Sequence, residues 1–139
     1  MNRISLGVQS FQDSQLKLLG RIHSGDDARN AFLLLRTSGF ENINIDLIFG
    51  CPGQSSHDWE KDLRIAVELN PEHISTYSLT YEEGTPLTMD LENEVVHKLD
   101  ESVELEMYKT AIRHLTSAGY NHYEISNFAK DRCECSHNQ

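Results

Sequence analysis

Apolar positions along this chain recur first at strand spacing and then at helix spacing, and the alternation predicts strand, helix, strand, helix, strand. Ile4 to Val8 is β-rich and begins at once. Asp13 is the expected cap of a short helix carrying Leu16 and Leu19, which Gly20 stops. A second helix is predicted from about Asp26 to Ser38, with Ala28, Ala31, Phe32 and Leu35 on one face and Gly39 at its end. Ile43 to Phe49 returns as a strand. Ser55 and Asp58 form a capping-box pattern ahead of a helix containing Leu63, Ala66, Val67 and Leu69, and Asn70-Pro71 ends it. Ile74 to Leu79 is the third strand. After a polar turn over 82–86 and an acidic stretch, a long helix from Asp100 to Ser117 is expected to use Leu105, Tyr108, Ile112 and Leu115, with Gly119 as its stop. Tyr120 to Ile125 is the last predicted strand, and the tail is polar.

Strands alternating with helices across short connections specify an α/β fold with a parallel sheet and right-handed crossovers. In such sheets ligands bind beyond the carboxyl ends of the strands, so polar residues at those positions are candidate site residues. Gln9 closes the first strand, Arg21 follows a helix-stopping glycine in LGRIH, and Asp46 is a charge inside IDLIF. A carboxylate in a strand of that kind needs a hydrogen-bonding partner to offset its burial. The planar fork of Arg21 suits a carboxylate ligand.

Composition narrows the function classes. A length of 139 residues with 38% hydrophobic content allows one modest core. Twelve Lys and Arg against 22 Asp and Glu give a net charge of -10, which opposes nonspecific attraction to nucleic acid or to an anionic membrane surface. No apolar run approaches the ~20 residues a membrane helix needs, and the start lacks the apolar core of a signal peptide, so a cytoplasmic setting is expected. The three cysteines, Cys51, Cys133 and Cys135, make no disulfide framework. Gly50-Cys51-Pro52-Gly53 reads as a tight turn with Cys51 in a buried apolar role. Cys133, Cys135, His137 and Asn138 have ligand-type spacing, but with one histidine no metal site is assigned to them. His57, His73, His97, His114 and His122 fit no ligand spacing, and Glu101, Glu104 and Glu106 read as a solvated helix start.

RISLGVQSF, LGRIH, NINIDLIFGCPGQ, EHISTYSLTYEEGTP and YEISNFA followed by C-S-H-N resemble, in order and over nearly the whole chain, the radical S-adenosylmethionine family of oxygen-independent coproporphyrinogen III oxidase. YSLTYEEGTP and YEISNFA are more similar to its heme-chaperone branch than to the oxidases. The resemblance implies the carboxyl-terminal half of a partial (β/α)6 TIM-like barrel over residues 1–98, followed by the beginning of a further region over 99–139. It implies S-adenosyl-L-methionine held by Gln9, Arg21, Asp46 and Thr80, the last at a position that touches the cofactor in the family. It also implies a heme or porphyrin ligand and a role in heme trafficking or porphyrin metabolism. The intact family reduces S-adenosylmethionine at a [4Fe-4S] cluster held by a C-x-x-x-C-x-x-C motif, and this sequence has no such motif. The expectations are therefore that no residue here is catalytic, that the chain alone has no radical activity, and that a missing amino-terminal half is its partner. The strand at Ile4 to Val8 would then present an unpaired edge and favour self-association.

Overall fold

The structure, a computed structural model, describes residues 3–130. Strands β1 (Ile4–Gln9), β2 (Ile43–Phe49) and β3 (His73–Ser78) pair in parallel, β1 with β2 and β2 with β3. Two short strands, β4 (Asn121–His122) and β5 (Asn127–Ala129), are antiparallel additions beside β3, giving the order β1-β2-β3-β5-β4. The helices are α1 (Asp13–Leu18), α2 (Gly25–Thr37), α3 (Ser56–Leu69), α4 (Pro86–Glu92) and α5 (Glu101–Ser117).

Strand side chains alternate, and here the two faces of the sheet differ in chemistry. Ile43, Ile45, Leu47 and Phe49 of β2, Ile74 of β3 and Phe128 of β5 form the apolar face. They join one core cluster with Ala28 and Phe32 of α2, Trp59, Leu63 and Ala66 of α3, and Met107, Ala111 and Leu115 of α5. Trp59 fills the centre and satisfies its indole by donating Nε1–H to the Met107 carbonyl at 2.8 Å. The opposite face carries Ser5, Gly7, Asn44, Asp46, His73, Ser75 and Asn127 in register.

Capping fixes where α2 and α3 begin. Ser55 and Asp58 form the expected reciprocal box. A second box, Ser24 with Asp27, starts α2 one residue before the predicted point. Asn70, at a φ of 61°, ends α3 in the left-handed region that asparagine tolerates.

Four expectations are corrected. Asp13 does not cap α1; Gln12 stands at that position without a side-chain bond, and the Asp13 carboxylate accepts from the Gly25 N–H at 2.9 Å, tying the starts of α1 and α2 together. Leu105 is 51% exposed: of the predicted α5 face Leu115 is buried and Tyr108 and Ile112 pack against the core, and Met107 and Ala111 take the place expected of Leu105. The polar stretch after β3 holds α4, which Thr85 caps at Thr88 and Pro86 opens from the first turn. Tyr120 to Ile125 is not one strand: 123–126 form a bend between β4 and β5, and Ile125 is 74% exposed.

Candidate functional site

A cavity of about 520 Å³ opens beyond the carboxyl ends of β1, β2 and β3, and its lining includes Gln9, Arg21, Asp46, Ile48, Tyr77 and Thr80. The volume lies within the ~300–1,000 Å³ of small-molecule sites. The four residues singled out in the sequence come together here: Gln9 at the end of β1, Arg21 in the α1–α2 connection, Asp46 within β2 and Thr80 just past β3. Arg21 and Thr80 are exposed, whereas Gln9 and Asp46 are half-buried, so the cavity has an open rim and a polar floor.

Gln9 is held in an unusual conformation. Its φ is 69°, and the Ser10 N–H closes onto the Val8 carbonyl at 2.8 Å, which makes a γ-turn of the rare positive-φ kind. For a residue with a β-carbon that conformation costs on the order of 1–2 kcal/mol. Asp62 of α3 offsets it. Fully buried, its carboxylate accepts from Ser10 Oγ at 2.8 Å, from the Phe11 N–H at 2.9 Å and from Gln12 Nε2 at 3.1 Å. Burial pushes its pKa up while those three donors pull it down. The pairing of β1 with β2 is irregular at this point, skipping from Gly7 to Gln9. Gly7 is the register partner of Asp46, and a β-carbon placed there would lie 3.3 Å from Gln9 Nε2. The missing side chain thus gives the Gln9 amide its place over β1.

Asp46 takes a hydrogen bond from Asn44 Nδ2 to its Oδ1 at 2.7 Å. Burial raises its pKa, opposed by the hydrogen bonds of Asn44 and Ser75 and by the charge of Arg3. Asn44, His73 and Ser75 continue the polar face behind it; Asn44 and Ser75 are not among the residues singled out in the sequence, and His73 is set aside there for want of ligand spacing. Asn44 had a visible signal: in NINID it alternates with isoleucine on the same side as Asp46. His73 had none, because its partners are 29 and 50 positions away.

One cation, Arg21, two carboxylates, Asp46 and Glu82, and one primary amide, Gln9, around a cavity of this size suit a zwitterionic ligand carrying an ammonium group and hydroxyl groups. That donor set fits S-adenosylmethionine. An iron–sulfur cluster does not fit: among the described residues no three His, Cys, Asp or Glu side chains come together, and Cys51 is buried with its thiol pushed up to about 12, first by burial and then by Asp62. Cys133, Cys135, His137 and Asn138 lie outside the described residues. Among those described, no helix is long and apolar enough to cross a membrane.

No family model matches the chain. The chain is 40% identical over 138 residues to a protein of Bacillus subtilis named heme chaperone HemW, covering 99% of this chain and 36% of that protein. The Escherichia coli protein of the same name is 42% identical, with 99% and 35% covered. A mitochondrial radical S-adenosyl methionine domain-containing protein 1 of Danio rerio is 38% identical, with 99% and 31% covered. Among solved structures, the radical SAM enzyme coproporphyrinogen III oxidase (HemN) of Escherichia coli superposes with a TM-score of 0.79 at 26% identity, over 95% of this chain and 30% of that one. The chain is therefore homologous along its length to heme chaperones and radical SAM domain proteins, and its open, mainly parallel sheet matches part of the radical SAM fold. It spans about a third of the length of the curated relatives it matches.

Proposed function

We propose that this chain, homologous over its length to one third of the heme chaperones above, supplies the S-adenosylmethionine-binding wall of a heme-related radical SAM protein. The observation that carries the reading is the convergence of Gln9, Arg21 and Asp46 on one cavity at the carboxyl ends of the parallel strands. Arg21 meets the carboxylate of the methionyl group with its guanidinium. Asp46 accepts from ribose hydroxyls or the ligand's ammonium group, and Gln9 offers an amide at the strand end. Thr80 adds a hydroxyl at the rim. Bound S-adenosylmethionine supplies radical chemistry when it is reduced, and the thiolates for such a reductant would come from outside the described residues. Residues 1–98 form the barrel portion in this reading and 99–139 begin the next region. The reading also takes in a heme or porphyrin ligand, which the names of the relatives support, together with a cytoplasmic location and a partner segment completing the barrel.

Calorimetric titration tests it with S-adenosylmethionine and hemin run separately against the wild-type chain and Asp46→Asn. Saturable binding of S-adenosylmethionine, weakened about tenfold or more by the substitution, is expected, since a charge-assisted hydrogen bond contributes about 1.5–3 kcal/mol. Equal binding by both proteins would overturn the assignment of Asp46. Hemin binding without any S-adenosylmethionine binding would leave only the heme part of the reading standing.

A further inference from the structure

Behind Asp46 a line of polar side chains crosses the open face of the sheet. His73 Nε2 lies 2.5 Å from the Tyr123 hydroxyl, His73 Nδ1 lies 2.5 Å from Asn44 Oδ1, and Asn44 Nδ2 lies 2.7 Å from Asp46 Oδ1. The line is built into the molecule: Asn44 and Ser75 are buried, and His73 is only 2% exposed. Ser75 Oγ sits 3.2 Å from Asn44 Oδ1 and 2.9 Å from Asn127 Oδ1.

An ionised carboxylate only accepts, and that fact fixes the polarity of every member. Asn44 must turn its Nδ2 toward Asp46, so its Oδ1 faces His73. His73 Nδ1 must then carry the hydrogen. Burial and the nearby charge of Arg3 hold the imidazole pKa down to about 4, so at neutral pH the ring has one N–H, and Nε2 is an acceptor for the Tyr123 hydroxyl. Read from the other end, Tyr123 selects the tautomer of His73, the tautomer selects the orientation of the Asn44 amide, and the amide presents a donor to Asp46.

We propose that His73 is a positioning residue for the binding cavity, acting through Asn44 to hold Asp46 as an oriented, ionised acceptor. Its value for a ligand rests on the reading of Asp46 given above, but the relay exists without any ligand. If the Nδ1–H is removed, the Asn44 amide is free to turn its oxygen toward Asp46, which favours the protonated acid. The other charged or titratable groups on this side are Arg3 before β1, Arg21 and Glu82 at the cavity, Tyr77 on β3, and Glu124 through Asn127.

The test is a carbon-detected NMR titration of the Asp46 carboxyl in the ligand-free chain. His73→Leu removes the donor, and His73→Asn restores an N–H close to the place of Nδ1. Tyr123→Phe perturbs only the half-buried outer end. The relay predicts that Asp46 titrates about one pH unit higher in His73→Leu, shifts less in Tyr123→Phe, and keeps the wild-type value in His73→Asn. An unmoved Asp46 in His73→Leu, or equal shifts in His73→Leu and His73→Asn, would overturn it. Should His73→Leu fail to fold, an unmoved Asp46 in Tyr123→Phe overturns it by itself. Affinity for S-adenosylmethionine, measured on the same proteins, should fall about tenfold where Asp46 moves. Absence of binding in the wild type would count against the proposed function, while the titration would still decide the relay.

Discussion

Phe11 donates its backbone N–H to Asp62 Oδ1 at 2.9 Å, joining the loop that leaves β1 to the middle of α3 across 51 positions of sequence. With Ser10 and Gln12 on the same carboxylate, that contact holds the positive-φ turn at Gln9 against its own strain. A buried side chain of α3 thereby sets the geometry of the cavity at the end of β1.

Replacing this carboxylate should cost stability and site geometry together. Asp62→Ala leaves the Phe11 N–H and the Ser10 hydroxyl without their acceptor and is expected to destabilise the chain by about 2–4 kcal/mol in a denaturant melt. At temperatures where the variant is still folded, S-adenosylmethionine should bind more weakly to it. A variant that melts like the wild type would show that the Gln9 turn does not depend on Asp62.

Gly7→Ala separates site from stability in the opposite direction. The added β-carbon would lie 3.3 Å from Gln9 Nε2 and displace the amide by a few tenths of an ångström. Gly7 has no positive φ, so the backbone accepts alanine, and the melt should stay within about 1 kcal/mol of wild type. Affinity for S-adenosylmethionine should drop several-fold. Unchanged affinity would place the Gln9 amide outside the contacts that matter.

Neutral burial of His73 predicts an acid-side loss of stability. Its folded pKa of about 4 lies below the usual 6.5, so the unfolded chain binds the proton first. The contribution is complete above pH 6.5 and is lost as pH falls from 6.5 towards 4, by an amount on the order of 3 kcal/mol. The raised pKa values of Asp46 and Asp62 act in the opposite sense, their charged forms being the penalised ones. The comparison is therefore made between wild type and His73→Asn, whose melts should converge on acidification. Parallel pH profiles would contradict the neutral, buried imidazole.

β1 has a strand partner on one side only among the described residues, and beside it runs a shallow groove lined by Leu6, Val8, Ala28 and Ala31. An unpaired edge next to apolar surface templates association. Sedimentation velocity of the isolated chain should show mass increasing with concentration despite the net charge of -10. A concentration-independent monomer would show that this edge protects itself.

The parts of the molecule that local chemistry determines were legible in the sequence. β2, the Ser55–Asp58 capping box and the stop at Asn70 follow from alternation and capping; Gln9 stood out as the close of a strand, Arg21 as a guanidinium after a helix-stopping glycine and Asp46 as a charge inside an apolar strand, whereas Thr80 came from the family resemblance alone. Of the α5 stripe only Leu105 was misplaced, because it fits the helical period as well as Met107 does, and only packing against α3 decides between them. Helix α4 was hidden in a segment whose Glu-Glu-Gly-Thr-Pro reads as a turn, although Thr85 before Pro86 is also a helix start. The Asn44–His73 contact was beyond reach, since it forms through β2–β3 register and has no spacing of its own.

Chemical-shift mapping on the wild-type chain tests the central claim most directly, with the side-chain amide of Gln9, the Nε–H of Arg21 and the carboxyl of Asp46 followed as S-adenosylmethionine is added. The account predicts saturable shifts at all three with one common dissociation constant and little change at Trp59 or Leu115 in the core. Shifts confined to other surfaces, or none at millimolar ligand, would contradict it.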